Sequence, residues 1–376
     1  YSAIPPEKLD PEAAEVLRMG FYQLLYMNSV PDNAAVNESV ELIKELGCPK
    51  ASGFVNGILR AFVRNGKNAD FSRLPGIERL SAEYSAPLWL CKKWCLEFGP
   101  QRTQRALRAC LGAPPIYARV NTVKADAHAV CEALSTEGAS AKPAEIFQNA
   151  IIIESPALQN TKAYMDGLFH VQDISSQFCA AALGAKPGDR VLDLCAAPGG
   201  KTTQIAALLQ GEGLIWSNEI VKKRSQILLS NIERMGIRNA VVSSMSPEAL
   251  CPKLQGYFDK VLVDAPCSGE GMFRKDPQAI SEWSEEHTKA CMERQIQILN
   301  SAKLCLKEGG VLVYSTCTFS TYENEGTVNE FLKNNPDFEL VDCGVSFGRE
   351  AENMPQARRI YPMDGGEGHF IAKLIK

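Results

Sequence analysis

Apolar positions recur at helical spacing through the first sixty or so residues, and after residue 170 they gather into short β-branched runs separated by amphipathic stretches. Asp10-Pro11 reads as an N-cap followed by proline at the first helical position, and Ala13–Met27 then carries a wide apolar face. A second helix is expected over Ala34–Leu46, closed by Gly47 with Pro49 just beyond, and a third over Ala51–Arg64, where Phe54, Ile58, Leu59 and Phe62 share a face. Gly66 to Pro87 is polar and punctuated by Gly and Pro, which marks a boundary. Short helices carrying Trp89, Trp94, Arg102, Arg105 and Arg108 follow, then a strand-like Tyr117-Ala-Arg-Val-Asn-Thr, then strand and turn material around Ile151–Ile153.

From there strands and helices alternate. Strands are expected at Arg190–Leu194, Leu214–Glu219, Ala240–Ser243, Lys260–Asp264, Val311–Thr316 and Phe370–Ile375. Between them lie helices at Thr202–Leu209, Lys222–Met235 (closed by Gly236) and Ser284–Leu306 (closed by Gly309). Alternation of this kind implies an α/β fold with a mostly parallel sheet covered on both faces.

Composition narrows the class. A chain of 376 residues with 45% hydrophobic and 22% charged residues is an ordinary globular protein of two or three domains. No apolar run approaches the ~20 residues that span a bilayer. The first residue is Tyr1 rather than Met, which suggests a trimmed chain. Thirteen cysteines, an odd number scattered through apolar segments, point to thiols in a reducing cytoplasm. No CxxC pair exists and His128, His170, His287 and His369 lie far apart, so no metal site is expected. The net charge is −4, yet Asn65–Lys124 holds ten Lys/Arg against four Asp/Glu, which places any RNA footprint on that stretch.

Val191-Leu-Asp-Leu-Cys-Ala-Ala-Pro-Gly-Gly-Lys-Thr is a buried strand, a glycine turn and a helix start, where a cofactor can approach the backbone at the carboxyl end of a parallel sheet. A phosphate-cradling P-loop would need glycine where Cys195 stands, and GxGxxG is absent. Glu219, twenty residues after Gly199, ends the next strand and can accept from a ribose hydroxyl pair. These features fit an adenosyl cofactor better than a nucleotide phosphate.

Two further strands each deliver a cysteine just past their ends: Lys260-Val-Leu-Val-Asp-Ala-Pro-Cys267-Ser and Gly310-Val-Leu-Val-Tyr-Ser-Thr-Cys317-Thr. Cytosine carbon 5 becomes nucleophilic only after a thiolate adds at carbon 6, and a base must afterwards remove the carbon-5 proton. That chemistry asks for an activated nucleophile and a second group beside it. Asp264, at the same strand end, can accept from the amino edge of cytosine, where uracil would offer an acceptor instead.

The segments Asp193–Thr202, Asp264–Lys275 and Tyr314–Glu325 closely resemble the Sun/Fmu-type ribosomal RNA cytosine-C5 methyltransferases, and the resemblance runs over essentially the whole chain. It implies S-adenosyl-L-methionine as cofactor, held by Cys195, Ala196, Ala197, Pro198, Gly199, Gly200, Lys201, Glu219 and Asp264. It implies Cys317 as nucleophile and Cys267 in product release. Val171–Gln177 is similar to the segment leading into the family's catalytic domain, and residues 117–122 to its RNA-binding subdomain, which makes Arg119 and Asn121 candidate RNA contacts. Arg274 and Lys275, shortly after Cys267, are candidates for gripping a phosphate. Residues 13–64 resemble the carboxyl-terminal half of the NusB-like domain found in one branch of the family.

The expected organisation is therefore a NusB-like helical part (1–67, incomplete), a small α+β RNA-binding subdomain (68–165) and a Rossmann-like methyltransferase domain (166–376). The expected partner is small-subunit ribosomal RNA, free or in an early assembly particle, met by a monomer without membrane or metal. The same chemistry on transfer RNA, or a non-catalytic assembly factor, are the rival readings. Two departures from the family pattern stand out. Ser243-Ser-Met245-Ser-Pro lacks the acid expected near the adenine, and Gly269–Asp276 and Gly366–Phe370 look more like relatives that modify a different cytosine.

Overall fold

The computed structural model describes the chain apart from residues 3, 6, 7, 156 and 157. It divides into two compact units, Tyr1–Leu88 and Trp89–Lys376.

The first unit is helical: α1 (Pro11–Tyr26), α2 (Asp32–Glu45), α3 (Ser52–Arg64) and α4 (Gly76–Glu83). Val16, Leu17, Leu24, Val36, Ile43, Val55, Leu59 and Phe62 form its core. The approach of α1 to α3 requires glycine at Gly20, since a Cβ there would meet Leu59 Cδ1 at 2.7 Å. The polar stretch read as a boundary contains α4, which the sequence hides because Leu80 is its one buried residue.

The second unit opens with α5 (Leu88–Cys110), two helical halves joined at Gly99, whose φ of 78° and ψ of 161° break the helix before Pro100 starts it again. A small sheet follows. Its strands β1 (Ile116–Val120), β2 (Ala141–Pro143), β3 (Ala150–Ile153) and β4 (Phe169–Val171) run antiparallel in the order β2-β3-β1-β4, with α6 (Ala127–Thr136) and α7 (Lys162–Met165) in its connections. Helix α8 (Ile174–Ala182) leads into the large sheet.

There β5 (Arg190–Asp193), α9 (Gly200–Leu208), β6 (Leu214–Asn218), α10 (Lys222–Met235), β7 (Ala240–Ser243), α11 (Pro247–Leu250) and β8 (Phe258–Asp264) alternate. After them come α12 (Pro277–Glu282), α13 (Glu285–Cys305), β9 (Leu306–Thr316), α14 (Thr327–Asn334), β10 (Glu339–Val341), β11 (Arg349–Ala351), β12 (Met354–Ile360) and β13 (His369–Ile375). The order is β11-β12-β13-β9-β8-β5-β6-β7, with β10 also paired to β13. Strands β5 to β9 pair in parallel, and β10 to β13 antiparallel. This is the expected Rossmann-like α/β fold.

Both faces of the sheet are buried. Val261, Val263, Leu312 and Tyr314 pack into one core while their neighbours Leu262 and Val313 pack into the other, as the period of two demands. Helix α10 ends where Gly236 adopts φ 74° and Ile237 N–H reaches back to the Ile232 carbonyl, the αL close its glycine announced. Two differences concern β strands. β9 begins at Leu306, not at residue 311, because the Gly309-Gly310 pair lies inside the strand rather than after the helix. Strands β10 and β11 hold three residues each, too few for a period-two pattern to register.

Candidate active site

The site is assembled at the carboxyl ends of β5, β6, β8 and β9. After β5 the chain turns sharply, and Gly199 caps α9 at φ 110°, where a Cβ would come within 3.0 Å of Leu228. The turn is tied from several sides. Ala196 N–H donates to the Asn218 carbonyl at 2.8 Å, Arg224 to the Ala197 carbonyl at 3.0 Å and Asn231 to the Pro198 carbonyl at 2.9 Å. Its backbone is therefore held before any ligand arrives.

The acids beside this turn have unused acceptor capacity. Asp193 is buried; one carboxylate oxygen accepts from Thr202 at 2.7 Å, while the other, Oδ1, has no partner. Burial raises its pKa to about 7. Glu219 is also buried and accepts from Val221 N–H at 3.0 Å. Arg224 pairs with the other Glu219 oxygen at 3.5 Å, so the vacant Asp193 oxygen is the acceptor that an adenosyl cofactor carrying an ammonium would fit.

Strands β8 and β9 are parallel neighbours with Asp264 opposite Ser315, so the two cysteine-bearing loops emerge side by side. The result is a Cys267–Cys317 sulfur separation of 3.3 Å. The shared proton makes the pair unequal. Cys317 has its pKa lowered, first by the hydrogen bond from Cys267, with Lys201 assisting against burial and the Asp264 charge. Cys267 is raised well above an ordinary thiol, first by the same hydrogen bond and then by burial and the neighbouring charges. Of the two, Cys317 is the one that gives up its proton more readily, with Cys267 left as the thiol beside it. Asp264 accepts from Lys201 at 2.7 Å and from Ser315 at 2.8 Å, and these contacts together with the charges of Lys201 and His369 hold its pKa down against burial.

The family model of the 16S rRNA methyltransferase RsmB/F matches residues 180–375. The NusB family model matches residues 2–64, and a ferredoxin-like domain of Methyltr_RsmF/B-like proteins matches 86–159. The chain is 33% identical over 382 aligned residues to the probable ribosomal RNA small subunit methyltransferase B of Bacillus subtilis, covering 99% of this chain and 84% of that one. It is 32% identical to ribosomal RNA small subunit methyltransferase B of Escherichia coli O127:H6, covering 96% and 81%. Among solved structures, NSun6 from Pyrococcus horikoshii with SFG superposes with a TM-score of 0.71 at 25% identity, covering 77% of this chain and 98% of that one.

The chain belongs to the 16S rRNA methyltransferase RsmB/F family.

Within that family frame, the structure brings together every residue expected at the cofactor turn and both cysteines. It does not bring Arg119 and Asn121 to a surface. Arg119 is 2% exposed and donates to Gln172 at 2.8 Å and Thr203 at 2.7 Å; Asn121 is fully buried and donates to the Gly167 and Met235 carbonyls, both at 2.8 Å. The RNA-contact expectation for these two is corrected: Arg119 of β1 turns onto α9 and Asn121, just past β1, onto the end of α10, so both side chains are spent on bracing the small sheet against the methyltransferase helices. Lys275 is exposed and ion-paired with Glu367, and Arg274 donates to the Ala113 carbonyl at 3.3 Å. The loop at Met245 carries no acid; its backbone N–H donates to Asn218 at 3.1 Å, and Asn218 donates back to its carbonyl at 2.9 Å.

Sequence reasoning missed a set of residues that clasps the two cysteine loops. Ser268, next to Cys267, shares a hydrogen bond with Thr318, next to Cys317, at 2.8 Å. Its hydroxyl also donates to Glu323 at 2.5 Å and its N–H donates to the other Glu323 oxygen at 2.9 Å. Gln295 on α13 donates to Glu323 and to the Pro266 carbonyl, both at 3.0 Å. Glu323 is fully buried in a π-helical turn, Tyr322–Gly326, a form often found at functional sites. His369 was missed as well: it is buried, its Nδ1 has no partner, and burial beside Lys201 lowers its pKa to about 4.

Proposed function

We propose that this chain methylates carbon 5 of a cytosine in small-subunit ribosomal RNA, with Cys317 as nucleophile and Cys267 as the group that releases the product. The observation that carries the reading is the 3.3 Å pair of sulfurs with one lowered and one raised thiol.

S-Adenosyl-L-methionine, when bound, supplies an electrophilic methyl group; Asp193 and Glu219 would accept from its ammonium and ribose, and the turn Cys195–Lys201 would meet its backbone-facing side. The Cys317 thiolate forms a bond to carbon 6 of the cytosine, and the electron pair displaced onto carbon 5 would take the methyl, whose bond to the sulfonium breaks with its electron pair left on that sulfur as a thioether. Asp264 has acceptor capacity left for the cytosine amino group, which orients the ring. The hydrogen bond and charge from Cys317 are among the causes that keep Cys267 protonated, and both vanish once Cys317 is bonded to carbon. Cys267 then gives its proton to solvent and, as a thiolate, takes the carbon-5 proton while the Cys317–carbon bond breaks. The base must leave any stack to meet both sulfurs, which favours single-stranded or immature RNA.

The matches to residues 2–64, 86–159 and 180–375 support a division into a NusB-like part (1–67), an RNA-binding subdomain (68–165) and the methyltransferase domain (166–376). Thirteen cysteines, none in a disulfide, suit a reducing cytoplasm, where a monomer would meet free ribosomal RNA or an early particle. No helix among the described residues is long and apolar enough to cross a membrane. Arg274 and Lys275 stay as candidate phosphate contacts.

The test uses Cys267→Ala with unmodified small-subunit ribosomal RNA and labelled S-adenosyl-L-methionine on a denaturing gel. A labelled protein–RNA adduct that disappears in Cys267→Ala/Cys317→Ala supports the reading. RNA binding without methylation by the unaltered protein sinks it.

A further inference from the structure

The charge along the chain is uneven in a way the catalytic cleft does not use. Residues 98–125 contain five Lys/Arg and no Asp or Glu, in a protein of net charge −4. Two of the five, Arg119 and Lys124, are spent on protein partners. The other three, Arg102, Arg105 and Arg108, lie on the second half of α5 at intervals of three residues and are exposed. Spacing of three keeps them on one broad face, while Thr103, Ala106 and Leu107 turn inward and are buried. None of the three arginines makes an ion pair or side-chain hydrogen bond among the described residues.

Their position relative to the reacting sulfurs is fixed at both ends of this half-helix. Just before the break at Gly99, Trp94 and Phe98 pack on Phe319 with ring centroids 5.4 and 6.4 Å apart, and Phe319 follows Cys317 by two residues. Phe98 also contacts Tyr361 at 5.7 Å. Beyond the helix end, the Ala113 carbonyl accepts from Arg274, which follows Cys267 by seven residues. The arginine-bearing half-helix therefore runs from the Cys317 loop to the Cys267 loop, with its charged face outward.

We propose that this face is a phosphate-tracking surface, on which Arg102, Arg105 and Arg108 hold backbone phosphates of the RNA strand that carries the reacting cytosine. The proposal rests on the RNA-methylating reading above. Arginine suits the task because its planar fork matches phosphate oxygens in pairs and its charge is permanent. Three guanidinium groups without ion-pair partners on a rigid helix cost little further ordering when RNA arrives, and their positive charge favours a polyanion over a neutral or basic partner, Glu97 and Glu352 lying only at the Arg102 end.

The experiment measures binding of an unmodified small-subunit ribosomal RNA fragment by Arg102→Gln/Arg105→Gln/Arg108→Gln between 50 and 200 mM KCl. Cofactor binding serves as the check on folding. Each phosphate contact on single-stranded RNA contributes about 0.7 to the slope of log affinity against log salt. The triple variant should therefore lose about 2 from that slope and bind roughly 10- to 100-fold more weakly at low salt. A control that removes the same charge from exposed Lys186, Lys253 and Lys333 should keep the native slope. A native slope in the arginine variant, or an equal loss in the lysine control, overturns the proposal. If the protein with its arginines intact neither binds the RNA nor captures it as Cys267→Ala, the methyltransferase reading falls instead and takes this one with it.

Discussion

Glu323 offers the sharpest test of how the two sulfurs are kept at work. Its carboxylate accepts three hydrogen bonds, from the Ser268 N–H, the Ser268 hydroxyl and the Gln295 amide, and no water reaches it. Replacing it by alanine leaves a backbone N–H and an amide N–H buried without acceptors, at about 1–3 kcal/mol each. The Ser268 hydroxyl can turn to Thr318 and is not orphaned. The loss of roughly 2–6 kcal/mol falls on the loop that carries Cys267, not on the strand end that carries Cys317. Glu323→Ala should therefore still form the covalent adduct but release it slowly, because Cys267 is no longer held against its partner.

Glu323→Gln separates charge from geometry. A glutamine oxygen can accept from the Ser268 and Gln295 N–H groups while its amide donates to the Ser268 hydroxyl, so the clasp survives without its charge. We expect turnover within about tenfold of the unaltered protein for Gln, and a loss of about 100-fold or more for Ala, with labelled adduct accumulating on a denaturing gel only in the latter. Equal activity of the two variants would show that the clasp does not position Cys267. An alanine variant that releases product at the native rate would refute the reasoning outright.

Other consequences are open to simpler measurements. Alkylation of Cys317 should show a pH midpoint below that of an ordinary thiol, and Cys267→Ala should raise that midpoint, since the donor responsible for most of the lowering is gone. Burial lifts Asp193 to about 7, above its value in the unfolded chain, so its ionisation costs the free protein stability as pH climbs from the ordinary carboxylate range toward and past 7. An ammonium placed on its vacant oxygen would reverse this; cofactor affinity should rise between pH 6 and pH 8 with proton release in calorimetry, and Asp193→Asn should flatten both trends. Met245→Glu should tighten cofactor binding about tenfold by titration calorimetry if the missing acid is a missing contact to the adenine amino group.

What could be read from the sequence was whatever depends on near neighbours in the chain. The strand, glycine turn and helix from Val191 to Leu209 signal one another within twenty residues, and so does the close of α10 at Gly236. Each cysteine was found because it stands just past a β-branched run. What escaped reading is carried by partners far apart. Ser268 meets Thr318 across 50 residues and Glu323 across 55, and a π-helical turn has no periodicity that would announce it. Arg119 and Asn121 escaped for the same reason: a basic and an amide residue in a short strand suggest a wet face, and only the packing of α9 and α10 against that face shows them enclosed.

The pairing of the sulfurs shows why this division is physical rather than accidental. Neither cysteine has a local feature that would make it acidic: neither follows a helix N-terminus, and burial alone pushes both thiols upward. A lone buried cysteine at either position would ionise less readily than Cys317 does beside its partner. The lowered pKa of Cys317 arises because the register of β8 and β9 sets the second sulfur 3.3 Å away, and the Ser268–Thr318 contact ties the two loops together. In the proposed reaction the same arrangement would hold Cys267 protonated until Cys317 has spent its charge on carbon, so a single contact would both activate the first step and withhold the second. Residue identity along the chain supplies the two thiols, and the difference between them on which the proposed order of steps depends is a property of the fold.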